Sequence, residues 1–545
     1  MSSAADREGM RVIDTDVLVV GSGLAGVMSA LKAARMGCRV LLTSKVSMMS
    51  GNSIFAGGGL LAPSGDFSPD DYFRLVMEGG KQINDAKLVR VLARSGEAMM
   101  GALREMGVPL EKRGQKYWYV KMGTSSKYPG VVLMDALIEY LKETYIKEHR
   151  ITALPWVSII ELMLDEGCAS GALGLSRKEG MLAINAKSVV LATGGGGGTY
   201  KRNDNHGRIV GDGYWLALEA GLPVKDMEFV QYYPIGLAEP SLRSIIIHNP
   251  IPREARIINS RGEDLSKKYD LKFALNECAM EYRDEFTLIL SRELEMGTIY
   301  MDCTGVPTEK WERWFLNRLA RINPEFRSRP FSIAPSVHFF MGGIEIDQRA
   351  RTAIPGLFAA GEVTGGVHGA NREGGNALTE CIVFGDIAGE SAARYAVGAP
   401  RGKIKEERFR HIFLGENERE RGKNLFKEVQ DLTWAHAGPI RDAKSLEEGL
   451  SRVSEIEKRL SGLERGGKSV GLNEVKGSLL VSKAIIRASL EREESRGAFY
   501  REDFPTRDDT NWLKNILLKL DRETGDFVVS HRRIGNAIQK VSEQK

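Results

Sequence analysis

A doubly wound α/β fold that closes on a dinucleotide is predicted by three observations. Residues 12–43 read as strand, tight glycine turn, helix and strand. The run SVVLATGGGG at 188–197 is another buried strand that ends in glycine. A second glycine-rich segment, GEVTGGVHGANREGGNAL at 361–378, follows a strand-like run about 340 residues after the first turn. Strands that alternate with helical patterns favour a parallel sheet, and the late return of the chain implies that the residues between form an insertion.

The first unit opens on VIDTDVLVV at 12–20, which alternates and then runs apolar before GSGLAG. In that turn Gly21 suits a tight bend, Gly23 lets the backbone approach a pyrophosphate, and Gly26 lets the helix pack closely on the strand. MSALKAARMG then places apolar residues at helical spacing and stops at Gly37. The free amides at that helix's start can hold phosphate. At the end of the second strand stands Thr43-Ser44-Lys45, without the acid that a simple NAD-binding dehydrogenase uses on the ribose; a hydroxyl can serve instead.

Farther along, Gly211-Asp212-Gly213 precedes the helical run YWLALEAG with its glycine stop. From 238 to 349 the pattern is mixed and includes a charged helical run, FALNECAMEYRDEFTLILSRELEMG, so an inserted substrate domain is expected there. The first part of the dinucleotide domain is thus 1–237 and its return segment 350–395. A charge-rich helical domain is expected over 396–515 and a small C-terminal tail over 516–545.

Composition narrows the partners. Among 545 residues, 76 basic side chains are nearly matched by 72 acidic ones, which argues against the concentrated basic face of a nucleic-acid binder. Five cysteines, Cys38, Cys168, Cys278, Cys303 and Cys381, form no CxxC cluster, so no metal site or iron–sulfur centre is expected in this chain. The polar start MSSAADREGM does not resemble a signal peptide, and no uncharged run approaches 18 apolar residues. A cytoplasmic protein without a direct membrane span is expected, one that could still reach a membrane through a partner.

The ordered set SGNSIFAGGGL at 50–60, LATGGGG, GDG, Ser291-Arg292, HFFMGG at 338–343, the 361–378 segment, QDLTWAHAGPIR at 430–441 and SRGAFYREDFPTRDD at 495–509 covers nearly the whole chain. It resembles the flavoprotein subunits of succinate dehydrogenase and fumarate reductase, a family that includes L-aspartate oxidase and soluble fumarate reductases. The resemblance implies a Rossmann-like FAD-binding domain with an inserted α+β capping domain, then the helical and C-terminal regions. It implies FAD contacts at Gly21, Gly23, Ala25, Gly26, Ser44, Lys45, Asn52, Ser53, Gly58, Gly59, Thr193, Asp212, Glu362, Asn376 and Leu378. Asn52 stands where membrane-bound relatives carry the histidine that bonds to flavin, so the FAD is expected to be noncovalent.

On the substrate side the resemblance makes Arg292 the proton-transferring arginine and makes Arg372 and His338 ligands of a small carboxylate or enoate. A guanidinium pairs with a carboxylate in a two-point fork, which suits such a role. His368 is expected to support its loop, and His206 has no assigned part. An iron–sulfur electron-transfer subunit is the partner that the family suggests.

Three departures concern chemistry. Tyr233-Pro234-Ile235-Gly236 stands for the family's His-Pro-Thr-Gly. His248-Asn249 and Pro252-Arg253-Glu254 stand for its Thr-Glu and Arg-Gly-Glu, which removes the usual carboxylic proton relay. TSSKYP at 124–129 replaces a stretch that often carries histidine and arginine. Each lost charge-assisted hydrogen bond to a buried carboxylate is worth roughly 1.5–3 kcal/mol, enough to move substrate preference. The leading expectation is an FAD-dependent oxidoreductase that passes hydride between flavin N5 and a carboxylate- or carbonyl-activated carbon. The alternatives are succinate/fumarate chemistry proper with Tyr233 and His248 compensating, aspartate oxidation, or an electron-transfer subunit with a diverged pocket.

Overall fold

The structure is a computed structural model that describes residues 11–57, 59–118, 128–176, 178, 180–240, 242, 244–247, 249–312, 314–402, 418–464 and 469–535. Its centre is a five-stranded sheet in the order Leu357–Ala359, Ser188–Leu191, Val17–Val20, Val40–Ser44, Ile151–Pro155. Every neighbouring pair in it is parallel. Val17, Leu18 and Val19 are fully buried, as a strand covered on both faces must be. The expected dinucleotide-binding sheet is therefore present, with its return strand at one edge.

The return segment is locked on by helix packing. Helix Asn376–Gly398 lies against helix Leu24–Arg35 at Gly385 and Gly389, where an added Cβ would meet the carbonyls of Ala25 at 2.7 Å and Ser29 at 2.3 Å. Ser29 Oγ uses the closeness to donate to the Gly385 carbonyl at 2.9 Å. Residues nearly 360 apart in sequence thus make one wall.

The cap is a four-stranded antiparallel sheet, Val230–Leu237, Phe331–Phe340, Ile299–Asp302, Arg256–Asn259, covered by helices that include Leu275–Met280, Arg283–Met296 and Trp314–Ile322. It has its own apolar core, with Ile235, Ile257, Leu290, Phe331 and Ile333 all fully buried. Strand Val230–Leu237 belongs to this sheet although it precedes residue 238, because its pairing with Phe331–Phe340 runs from cap to body.

Helices Glu418–Ala437, Ala443–Glu464 and Val470–Glu491 pack on one another, and the last also packs on helix Asp212–Glu219. Beyond them, Lys514–Leu520 and Phe527–Arg533 form a hairpin whose first strand pairs with Val224–Lys225. The described part of the expected tail is consequently an edge of a body sheet. Buried Arg492 ties it down through Glu228 at 2.6 Å and Glu494 at 3.0 Å; such charges are tolerable inside only when paired.

Candidate active site

A cavity of about 1080 Å³ lies between the parallel sheet and the cap. Its floor is the residues that directly follow four sheet strands: Gly21, Ser44 with Lys45, Thr193, and Gly361 with Glu362. Carboxyl ends of parallel strands are where open α/β sheets bind ligands. Gly21 holds φ +111°, and a Cβ there would stand 2.2 Å from the Ala192 carbonyl oxygen. Only glycine fits this turn, and the bare backbone it leaves is a cradle for phosphate. Thr193 Oγ1, Arg283 Nε and Arg372 Nε are buried without a hydrogen-bond partner among the described residues, and all three residues line the cavity. Glycine floor, basic groups and unspent polar atoms fit a bound dinucleotide with an anion beside it.

Gly21, Gly23, Ala25, Ser44, Lys45, Asn52, Ser53, Gly59, Thr193, Asp212, Glu362 and Leu378 all line this cavity. Lys45 is paired with Asp212 at 2.7 Å and with Glu474 at 3.1 Å. Ser53 Oγ accepts the Leu24 amide at 3.1 Å, so it caps the start of the first helix. The Asn52 amide donates to Asn205, and its oxygen accepts the His206 amide at 2.9 Å. Glu362 Oε1 accepts the Phe340 amide at 3.1 Å, while burial pushes its carboxyl up to about 7. Gly195 makes room for that carboxyl, since a Cβ there would lie 2.2 Å from it.

Two expected contacts are absent from the lining. Gly26 sits beneath the turn, where a Cβ would strike the Gly21 carbonyl, so its role is packing. Asn376 is fully buried behind the wall at the start of helix Asn376–Gly398 and accepts from the Tyr72 hydroxyl. Gly58 lies outside the described residues, as do His248 and 124–127 of the TSSKYP stretch.

At the cap end the cavity gathers cations. Arg372 is buried, donates to Gln231 Oε1 at 2.8 Å and to the Glu373 carbonyl at 3.2 Å, and stacks on Phe339. Burial, reinforced by the charge of Arg283, pushes its guanidinium down to about 10. Arg283 donates to Asn371 Oδ1 at 2.8 Å, and Gln231 Nε2 donates to the same oxygen at 2.7 Å. One amide oxygen thus couples both arginines. Asn371 in turn donates to Asp284, which neighbours Arg283 at 3.7 Å. His338 is held through Nδ1 by Asp204 at 2.7 Å, so Nε2 is the ring atom left for a ligand. Lys116 also lines the cavity, and burial holds its ammonium below the usual lysine range.

Arg292 does not reach this site. It lies nine residues beyond Arg283 on helix Arg283–Met296, and at about 100° per residue it points to the opposite face. Its side chain is half exposed beside Tyr500 and Glu502. Tyr233 does line the cavity, but its hydroxyl is spent on the Ile247 carbonyl at 3.1 Å and burial raises its phenol far above the ordinary range. Ile235 is wholly inside the cap core. His368 pairs with Glu380 at 2.8 Å behind the lining and supports its loop, whereas His206 is a lining residue.

Sequence reasoning missed Arg283, Gln231, Asn371, Asp204 and Lys116. Arg283 lies inside the charged helical run at 273–297 and is the first residue of helix Arg283–Met296, a helix start that the sequence pattern did not mark. The others gave no signal, because their roles depend on contacts between segments far apart in the chain.

Comparison with known proteins adds identity to this geometry. The profile described as FAD binding domain matches residues 16–378, and that described as Fumarate reductase flavoprotein C-term matches 426–543. The chain is 35% identical to a fumarate reductase (CoM/CoB) subunit of Methanothermobacter marburgensis, covering 94% of this chain and 98% of that one. It is 29% identical to L-aspartate oxidase of Streptomyces coelicolor over 93% of this chain and 92% of the other. Among solved structures, a mutant FrdA chain of E. coli quinol fumarate reductase superposes with a TM-score of 0.82 at 27% identity, covering 96% of this chain and 97% of that one.

Proposed function

The chain belongs to the flavoprotein family of fumarate reductases and succinate dehydrogenases and is an FAD-dependent oxidoreductase; from that premise we propose that it exchanges two electrons with a carbon activated by a neighbouring carboxylate, an enoate being the oxidised form. The observation that carries this reading is the pair Arg283 and Arg372, coupled through Asn371 at one end of the FAD cavity. When bound, FAD supplies a hydride donor and acceptor at N5 of its ring system.

This chain's residues do the rest. Burial, and after it the repulsion between two guanidiniums in a partly dry enclosure, pushes Arg372 down to about 10. A carboxylate between them relieves that repulsion: Arg372 Nε–H has no hydrogen-bond partner among the described residues, and Arg283 Nε–H has only the ion pair with Asp284 at 3.7 Å. His338, fixed by Asp204, orients a second polar group of the substrate through Nε2. Arg283, not Arg292, is then the arginine placed to carry the α-carbon proton. A guanidinium is a weak acid by itself, so it needs a relay, and Asp284 is the adjacent carboxylate that supplies one.

The flavin is held without a covalent bond, since Asn52 takes the attachment position and spends its amide on Asn205 and the His206 backbone. Acid precipitation is therefore expected to release all of the FAD into the supernatant. Electrons come from a partner or carrier, in keeping with a relative that is itself one subunit of a larger enzyme; an iron–sulfur subunit is the partner class proposed. No helix among the described residues is long and apolar enough to cross a membrane.

The test is anaerobic mixing of the photoreduced holoprotein with fumarate, crotonate and larger enoates. Return of oxidised-flavin absorbance with one saturated acid formed per flavin is expected. Silence of every enoate would defeat the reading.

A further inference from the structure

We propose that the substrate is amphipathic: a carboxylate head at Arg283 and Arg372, followed by an apolar body of several carbons that lies along the cap and points to solvent at Met280 and Ile322. This rests on the carboxylate reading above and adds the substrate class to it.

Beyond the cationic end, the cap side of the cavity is lined by Leu242, Ile245, Ile246, Ile251, Phe315 and Leu316. They come from two places, the 242–252 segment and helix Trp314–Ile322, and all belong to one apolar cluster of the cap, with Arg318 of that helix also on the lining. Three described polar groups of the 242–252 segment are engaged elsewhere, while Asn249 Oδ1 has no hydrogen-bond partner among the described residues and Asn249 is on the lining. Ser244 Oγ bonds with Ser336 Oγ at 2.9 Å, the Asn249 amide donates to the Asn276 carbonyl at 3.1 Å, and the Ile251 amide donates to Asn276 Oδ1 at 2.6 Å. The Ser336 bond ties the segment to strand Phe331–Phe340 and the two Asn276 bonds tie it to helix Leu275–Met280, immediately before Arg283, so the apolar surface and the anion anchor are held in one frame.

The mouth has the same character. Met280 and Ile322 both line the cavity, yet they are 48% and 36% exposed. Two large apolar side chains on the lining that are left partly in water mark a ligand path more than a finished surface. Fumarate would fill the cationic end and leave the apolar stretch wet; a chain of carbons would dry it.

In the reduction the carbon–carbon π bond breaks, a C–H bond forms at the β carbon with hydride from reduced FAD, and a second forms at the α carbon with a proton delivered through Arg283. The enoate gains two electrons and FAD is oxidised; the apolar body takes no part and contributes binding alone.

Two measurements on the holoprotein test the proposal. Calorimetry with butanoate, hexanoate, octanoate and succinate is expected to show Kd falling about fourfold for each added methylene until the tail reaches the mouth. Anaerobic flavin reoxidation by trans-2-butenoate, trans-2-hexenoate and trans-2-octenoate should show kcat/KM rising in step. Ile246→Asn, with flavin absorbance as the check on folding, is expected to cut the octenoate-to-butenoate ratio at least tenfold. A flat series, or succinate and fumarate outdoing the eight-carbon acids, would overturn this inference while fumarate turnover upheld the parent reading. Octanoate binding more tightly than succinate with every enoate silent would uphold the pocket and overturn the reaction.

Discussion

The two walls of the cavity bind by opposite means. On the sheet side recognition is done mainly by backbone, exposed because Gly21 has no side chain and packed tightly because Gly385 and Gly389 have none. On the cap side it is done by side chains, with Arg283, Arg372 and His338 at one end and isoleucine, leucine and phenylalanine along the rest. A backbone cradle fails when any Cβ is added, so it is shared by a whole family. A wall of side chains can be rewritten residue by residue on an unchanged sheet. Cofactor is therefore readable from family membership, while substrate must be read from the cap.

The sharpest way to break this contrast is on the helix that carries two arginines. Arg283→Gln should lower enoate turnover about 10³-fold, the scale on which a positioned proton donor acts, while flavin content is kept. Arg292→Gln, on the opposite face, should change turnover less than about twofold. Stopped-flow reoxidation of both variants measures this, and equal losses would show that Arg292 reaches the substrate after all. Gly21→Ala attacks the other wall. Its Cβ would stand 2.2 Å from a carbonyl oxygen at a backbone angle that disfavours alanine, so about 3 kcal/mol or more is lost. Flavin-to-protein stoichiometry should fall accordingly, and a fully loaded Gly21→Ala protein would contradict the cradle.

What the sequence revealed follows the same division. The parallel sheet was legible because burial on both faces forces an apolar strand, and the glycine turn leaves a fixed spacing. The return segment was legible for the same reason. Gly26 and Asn376 were read as cofactor contacts because close packing and ligand contact call for the same small or polar residue; only the position behind the wall separates them. Arg292 is named by the resemblance of Ser291-Arg292 to the family motif, whereas which face of this helix meets the cavity depends on how it docks on strand Val230–Leu237. Gln231, Asn371 and Asp204 gave no signal, since each acts through a partner at least 130 residues away.

Glu362 offers a smaller effect, on the sheet wall's one strongly perturbed acid. Its carboxyl is raised from 4.5 to about 7, first by burial, so the folded apoprotein keeps a proton that the unfolded chain has already released. Stability conferred by that proton is complete below about pH 4.5, falls as pH rises through 7, and is gone above it. Glu362→Gln should flatten the decline and leave the variant apoprotein the more stable of the two at pH 8, by up to about 3 kcal/mol. Urea unfolding at pH 5 and pH 8 decides; equal pH slopes in both proteins would mean that Glu362 is charged in the folded state.

The least effect is expected where the family resemblance suggested a large one. The resemblance places a histidine where Tyr233 stands, and a phenol facing substrate can donate a proton. Its hydroxyl already donates to the Ile247 carbonyl, its ring lies 6.1 Å from that of His338, and it is buried. Removing the hydroxyl leaves that carbonyl without its partner, which costs about 1 kcal/mol of stability. It removes no group that meets a ligand, so Tyr233→Phe should keep enoate turnover within about threefold and merely lower the urea midpoint. Loss of turnover with flavin retained would make Tyr233 an acid, and the cap would then owe its chemistry to a rewritten residue as well as to the arginines it keeps.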